Sequence, residues 1–297
     1  MAITCIDQAH GENFALYNGD CVSLLEQLPD HCIDFCIYSP PFSNLFVYSK
    51  SPLDMGNSVD DAEFFKHYDF LIQQLSCIMK PGREIAVHCS DLPHHKWKDG
   101  YIGLKDFSGA LIRAHESRGH ILTSRITVWK SPVVEMQRTK AIGLLYKQLR
   151  KDSTMSRTGM PDYVLVFRML GDNPVPIEHT FENFSLDQWQ EWASPVWMTI
   201  NQSNTLNKDG AKEENDERHI APLQLDLIER CVILWSNPGE VVLSPFAGIG
   251  SEGYISLQQG RRFVGVELKP TYFQQAAKNL QSVGRINTAG FFGQSVI

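Results

Sequence analysis

The segment Val241-Val242-Leu243-Ser244-Pro245-Phe246-Ala247-Gly248-Ile249-Gly250-Ser251 constrains this chain more than any other. An apolar run of strand length passes straight into glycines and then into a helical pattern. Glycines in such a turn let the backbone approach a ligand closely, and the helix N-terminus beyond offers free N–H groups to an anion. The turn Gln259-Gly260-Arg261-Arg262 leads to a second strand, Phe263-Val264-Gly265-Val266-Glu267, whose terminal acid lies 21 residues after Phe246. An acid there is placed to accept hydrogen bonds from both hydroxyls of a ribose. Together these parts describe a nucleoside-containing cofactor lying across strand ends. A dinucleotide suits them as well as S-adenosylmethionine. The glycines at 248, 250 and 253 keep the dinucleotide spacing, and only the preceding Pro245-Phe246 sets the turn apart. A purely structural turn is the plainer alternative.

Through most of the chain, strand-like runs alternate with helical patterns, which predicts an α/β sheet. Phe14–Tyr17, Ile33–Tyr38, Glu84–Cys89, Ile121–Trp129, Tyr163–Arg168, Val241–Leu243 and Phe263–Glu267 read as strands. Helices are predicted over Val22–Leu28, Ala62–Met79, Phe107–Arg118, Leu223–Trp235, after Ser251, and over Tyr272–Leu280, with Lys80-Pro81-Gly82 as a turn. Two stretches break this rhythm. Ser131–Pro161 contains an amphipathic candidate helix, Thr139–Lys151, and Met169–Arg218 is acidic and ends in a polar run that reads as a mobile loop. The expected organisation is a catalytic domain from 1–130, 162–168 and 218–297, a basic insert at 131–161 and an acidic insert at 169–217.

A net charge of −7 argues at first sight against a nucleic-acid partner. A local patch is what phosphates feel, however, and the charge here is segregated. Arg125–Arg168 holds nine basic residues against three acidic, a local +6, whereas Met169–Glu217 holds ten acidic against two lysines, a local −8. The basic stretch is either a DNA contact or a solvated helix face. Seven cysteines in or beside apolar runs suit reduced thiols, and no apolar run approaches membrane-spanning length. With no signal-peptide pattern after Met1, the expectation is a soluble, cytoplasmic protein without a membrane partner.

Ser39-Pro40-Pro41-Phe42 directly follows a strand, at the end where open α/β sheets keep their sites. Two prolines remove two N–H donors and stiffen the backbone, so carbonyl oxygens stand out as fixed acceptors. A hydroxyl beside a fixed carbonyl can hold an –NH2 group by both hydrogens, and Phe42 can stack on a flat ring. A base amine needs such help, because its lone pair is delocalised into the ring. The base must also leave the helical stack, at a cost of a few kcal/mol. An ordinary Pro-Pro turn closing a strand is the bland alternative.

Taken in order, the two segments resemble the β class of DNA amino-methyltransferases, where a D/N/S-P-P-Y/F/W motif precedes an F-x-G-x-G motif with a target-recognition region between. Asn18-Gly19-Asp20 is similar to the family's G-D element, and Arg218-His219-Ile220-Ala221-Pro222-Leu223 to its H-P-x-x-K-P-x-x-L element, although the lysine is missing. Gly265-Val266-Glu267 with Tyr272 is similar to the ribose-binding strand. The resemblance covers nearly the whole chain outside 131–161 and 169–217, and is to solitary phage or prophage methylases, hence a bacterial or phage-encoded protein.

The resemblance implies a Rossmann-like S-adenosylmethionine-dependent methyltransferase fold, a mostly parallel seven-stranded sheet with its last strand pair antiparallel and circularly permuted motif order. The strands ending at Asp20 and Glu267 would then lie side by side. It implies Ser39, Pro40, Pro41 and Phe42 as catalytic residues, and Asp20, Ser39, Pro40, Ser244, Phe246, Gly248, Gly250, Ser251 and Glu267 around S-adenosyl-L-methionine. Double-stranded DNA would meet Arg138, Lys140, Lys147, Arg150, Lys151 and Arg157. A homodimer is a state the family often adopts. Serine at the first motif position marks cytosine-N4 enzymes more often, yet similar phage-type chains are commonly adenine-N6 enzymes, and the expectation leans to adenine. A DNA-binding protein that keeps the fold without catalysis is the alternative of a different class. Zinc is not expected: Cys32, Cys36, His88, Cys89, Asp91, His94 and His95 lack a second pair at ligand spacing. Trp189, Trp192 and Trp197 lie in acidic sequence that DNA repels, so they read as packing on the core.

Overall fold

A computed structural model describes residues 3–42, 54–94, 96–207 and 222–292. The chain runs through β1 (Asp7–His10), β2 (Phe14–Asn18), α1 (Cys21–Leu25), β3 (Ile33–Tyr38), α2 (Asp61–Ile78), β4 (Met79–Ser90), β5 (Leu92–His94), α3 (Lys96–Asp99) and β6 (Gly103–Lys105). It continues through α4 (Phe107–Ser117), β7 (Ile121–Val128), α5 (Pro132–Thr139), α6 (Tyr146–Lys151), β8 (Asp162–Arg168), α7 (Leu186–Trp192) and β9 (Val196–Trp197). The last third adds α8 (Leu225–Trp235), β10 (Val241–Ser244), α9 (Ser251–Gln258), β11 (Arg262–Glu267) and α10 (Pro270–Phe292).

Nine strands form one sheet in the order β1-β2-β11-β10-β3-β4-β8-β7-β9. The five from β2 to β4 pair in parallel, while β8 is antiparallel to both β4 and β7. That is the expected seven-stranded core, widened by an edge strand on each side. All six residues of β3 are buried, as a central strand covered on both faces requires. The period of two sends Cys36 and Tyr38 to the core beneath α1, α2 and α4, and Phe35 and Ile37 to the core beneath α8, α9 and α10.

Helix starts follow local capping chemistry. Asp60 accepts from the Glu63 amide ahead of α2, and Asp106 from the Gly109 amide ahead of α4. Three expectations are corrected. The helix over Thr139–Lys151 is broken, because Lys140 takes a left-handed conformation (φ 48°) and ends α5, and α6 restarts at Tyr146. Lys80-Pro81-Gly82 lies inside β4, where Gly82 (φ 70°) coincides with a register shift against β3. The acidic segment contributes β9 to the sheet edge, and Trp197 is buried beneath Arg230, whereas Trp189 is exposed. Of the loop expected over Asn201–Glu217, residues 208–217 lie outside the described residues, as do Arg218–Ala221 and His95.

Beneath β3 runs a buried chain of polar groups. The hydroxyls of Tyr38 and Tyr68 are 2.7 Å apart, and Tyr68 meets His115 Nε2 at 3.0 Å. His115 Nδ1 meets His120 Nδ1 at 2.9 Å, and His120 Nε2 meets Ser76 Oγ at 2.9 Å. Burial holds His115 well below the usual histidine range and pushes His120 down to about 4. The unfolded chain therefore binds these protons first, so their contribution to stability is complete above pH 6.5 and is lost as pH falls toward 4. Each neutral histidine contributes a slope of roughly 1 kcal/mol per pH unit in that window. Urea titrations of His120→Gln at pH 7 and pH 5 are expected to show a smaller acid loss than the parent chain, and equal losses would refute the linkage.

Candidate active site

Parallel pairing sets the carboxyl ends of β2, β11, β10 and β3 along one rim of the sheet. From β3 the chain winds outward through β4, and from β10 it winds the other way through β11, so the rim opens between them. One cavity fills this opening. Asp20 lines it, as do Ser39, Pro40, Pro41, Phe42, Phe246, Gly248, Ser251 and Glu267. Two stretches about two hundred positions apart in the chain thus face a single space.

The β2–β11 side is built around Glu267. Its Oε2 accepts from the Gly248 amide at 2.8 Å and its Oε1 from the Lys269 amide at 2.8 Å. Each oxygen keeps acceptor capacity for a ligand hydroxyl. Burial lifts Glu267 to about 7, against the pull of those two amides. Gly248 has φ 53°, and a Cβ there would meet no atom within 4 Å, so the space above it belongs to the cavity. Asp20 also caps α1, accepting from the Ser23 amide and hydroxyl at 2.8 Å each. Sequence reading missed Glu252, the second residue of α9, which lines the cavity. Burial lifts Glu252 to about 8, although its own backbone amide favours the ionised form, and Glu267 adds repulsion.

On the other side, Tyr38 of β3 pairs with Val87 of β4, so the next residues, Ser39 and His88, stand side by side. Ser39 Oγ lies 3.1 Å from His88 Nδ1. His88 Nε2 lies 3.1 Å from Asp162 Oδ2, a close contact rather than an aligned hydrogen bond. The other Asp162 oxygen accepts from Lys130 Nζ. Burial alone would raise the Asp162 carboxyl, but His88 and Lys130 outweigh it and hold the group at about 2. Phe42 packs edge-on against Phe107 with ring centres 6.1 Å apart, and Tyr38 lies 5.8 Å from Phe246. His88, Asp162 and Lys130 were passed over because they are far apart in sequence. The one available signal was the alignment of two strand ends.

Several expected site residues stand elsewhere. Ser244 is fully buried at the end of β10 and does not line the cavity. Gly250 does not line it either: its φ is 88° and a Cβ would come within 3.2 Å of Ala276, so it serves packing of α9 against α10. Arg157 ion-pairs with buried Glu135 at 2.8 Å and donates to the Thr158 carbonyl, which ties the basic insert together rather than leaving a group for phosphate. Arg138, Lys140, Lys147, Arg150 and Lys151 are exposed, with Arg150 over the Tyr146 ring. Among the described residues no group of His, Cys, Asp or Glu is gathered to hold a metal, and no helix is long and apolar enough to cross a membrane.

An open, mostly parallel sheet with a cavity at its order reversal is the architecture in which α/β proteins hold ligands at strand tips. The family described as DNA methylase, the N6/N4 methyltransferases, matches residues 33–278, and the chain belongs to it. Type II methyltransferase M.BglII of Bacillus subtilis is 24% identical over 263 residues, covering 86% of this chain and 66% of that relative. M.BamHI of Bacillus amyloliquefaciens is 23% identical over 266 residues, covering 85% and 54%. The chain therefore spans two thirds or less of the length of these relatives. Among solved structures, the cytosine-N4-specific PvuII DNA methyltransferase superposes with a TM-score of 0.66 at 17% identity, covering 96% of this chain and 95% of its own. The Thermus thermophilus protein TTHA0409 in complex with S-adenosyl-L-methionine gives 0.66 at 21% identity, covering 91% and 95%. These likenesses establish the fold.

Since Glu252 titrates higher in the folded chain than its ordinary 4.5, its contribution to stability is full below pH 4.5 and is lost as pH rises toward 8. Glu252→Gln is therefore expected to gain on the parent chain in ligand-free urea titrations between pH 5 and pH 8, by roughly 1 kcal/mol per pH unit at most. A pH-independent difference would contradict this.

Proposed function

We propose that the chain is an S-adenosylmethionine-dependent DNA methyltransferase acting on an exocyclic amine of a base turned out of the duplex. One observation carries this reading: Glu267 and Gly248 share a cavity with Ser39, Pro40, Pro41 and Phe42. The residues fit a cationic nucleoside cofactor. Among the described residues, four carboxyls, of Asp20, Asp54, Glu252 and Glu267, line the space against one ammonium, Lys269. A buried carboxyl with free acceptor capacity suits ribose hydroxyls, and the open space above Gly248 admits close backbone approach. When bound, the cofactor supplies a methyl group already activated by a sulfonium.

The chain's own residues do the rest. Ser39 Oγ and the carbonyls of the stiff Pro40-Pro41 turn accept hydrogen bonds from the amine and draw it toward tetrahedral geometry, which frees its lone pair. Phe42 offers a ring face to the extruded base, offsetting part of the unstacking cost. The apolar walls exclude water, which strengthens each polar contact inside. Exposed Arg138, Lys140, Lys147, Arg150 and Lys151 supply contacts to the phosphates of double-stranded DNA. A homodimer remains part of the proposal through the family resemblance.

Adenine N6 is the proposed target, as similar phage-type chains imply. The fold shared with a cytosine-N4-specific enzyme supports N4-cytosine as the alternative. Incubation with labelled cofactor and DNA, followed by mass spectrometry of the nucleosides, is expected to yield 6-methyladenine. A 4-methylcytosine product would move the target to cytosine, and no methylated base would overturn the enzymatic reading. Ser39→Ala is expected to slow transfer by roughly 100-fold while cofactor affinity stays within twofold.

A further inference from the structure

Ser39 carries a problem that the acceptor role leaves unsolved. A serine hydroxyl has one proton and two lone pairs, so it can meet an amine either as acceptor or, wrongly, as donor. Something must direct its proton away from the cavity. His88 Nδ1, at 3.1 Å, is the group placed to take it.

We propose that His88, backed by Asp162 and Lys130, acts through Ser39 as a positioning residue and proton acceptor for methyl transfer. This rests on the methyltransferase reading above. The order follows from the sheet: β3, β4 and β8 are consecutive neighbours, so their rim residues Ser39, His88 and Asp162 fall in a row across three strands. His88 is 8% exposed and Asp162 2%, and neither lines the cavity, so the row stands behind the serine.

Asp162 is ionised and its Oδ2 lies beside Nε2, which favours the imidazole tautomer protonated at Nε2. That leaves the Nδ1 lone pair facing Ser39. The hydroxyl donates to it, and the serine oxygen turns its lone pairs to the cavity. Lys130 keeps Asp162 charged from the end of β7. Among the described residues, Ser39 from β3 and Asp162 from β8 are the polar groups that meet the ring.

The same row gives the proton a destination. With the cofactor bound, a methyl taken by the amine nitrogen would leave the electron pair of its former bond on sulfur, and the surplus proton on nitrogen is what this chain's residues have to remove. The nitrogen, now positive, gives a proton to Ser39 Oγ while Ser39 passes its own proton to His88 Nδ1. His88 ends as an imidazolium between Ser39 and the Asp162 carboxylate, and releases the proton to solvent before the next turnover. A ring carrying its proton on Nδ1 would instead donate to Ser39 and turn the hydroxyl proton toward the amine, so the Nε2–H form is the one that the acceptor role of Ser39 requires.

Two measurements on the full chain test this. In 15N ring spectra near neutral pH, His88 is expected as the Nε2–H tautomer, and Asp162→Asn is expected to shift it toward Nδ1–H. In single-turnover assays, His88→Phe is expected to slow transfer by roughly 100-fold, the scale of positioned acid–base groups, with cofactor affinity within twofold. His88→Gln, whose oxygen can accept from Ser39 but cannot carry off a proton, should recover part of the rate. An Nδ1–H tautomer in the parent chain, or a normal rate in cofactor-binding His88→Phe, overturns the proposal. Should His88→Phe fail to fold, the tautomer decides. Absence of any methylated base from the parent chain would sink the underlying reading instead, whatever the tautomer.

Discussion

The parallel pairing of β2 with β11 is the constraint on which the site depends. Five successive residues from Phe14 to Asn18 face five from Phe263 to Glu267. The join continues past the strands, where the Gly19 amide and the Asn18 side chain both donate to the Glu267 carbonyl, at 3.1 and 2.7 Å. Asp20 and Glu267 therefore reach the same rim at a fixed separation. Without that pairing, neither the capped start of α1 nor the end of β11 would have a partner across the cavity, and the glycine turn would lie at an unpaired edge.

Opposite that join, the β3–β4 pairing fixes Ser39 beside His88 by the same kind of backbone register. The two halves of the site differ in their electrostatics. The β11 half gathers carboxyls whose ionisation is suppressed by burial, so in the free protein their charge is held back by desolvation. On the β4 half, Asp162 stays ionised because a histidine and a lysine compensate its burial. An acidic lining awaiting positive charge and a fixed anion behind a serine suit different tasks within one cavity.

Much of this was legible in the chain itself. The Val241–Ser251 unit and Glu267 read as a strand–turn–helix–strand because apolar periodicity and glycine placement are local properties. Ser39-Pro40-Pro41-Phe42 was found at a strand end for the same reason. What stayed hidden depends on which strands become neighbours. His88 and Asp162 lie 74 positions apart in sequence, and only the order β3-β4-β8 brings them into a row. The break at Lys140 was invisible because a lysine carries no turn signature, and Ile142 and Leu149, apolar residues within the candidate helix, are exposed. Ser244 was placed by motif resemblance, and its fully buried position at the end of β10 is set by strand pairing rather than by anything local to the motif.

The β2–β11 join also has a consequence for biosynthesis. Phe14 leaves the ribosome about 250 residues ahead of its strand partner Phe263. At roughly 5–20 residues per second, β2 waits on the order of ten to fifty seconds with one hydrogen-bonding edge unfilled. A nascent chain stalled before β11 would hold the serine turn on a partly formed sheet yet have no pocket, because one wall of the cavity is among the last parts of the chain to emerge.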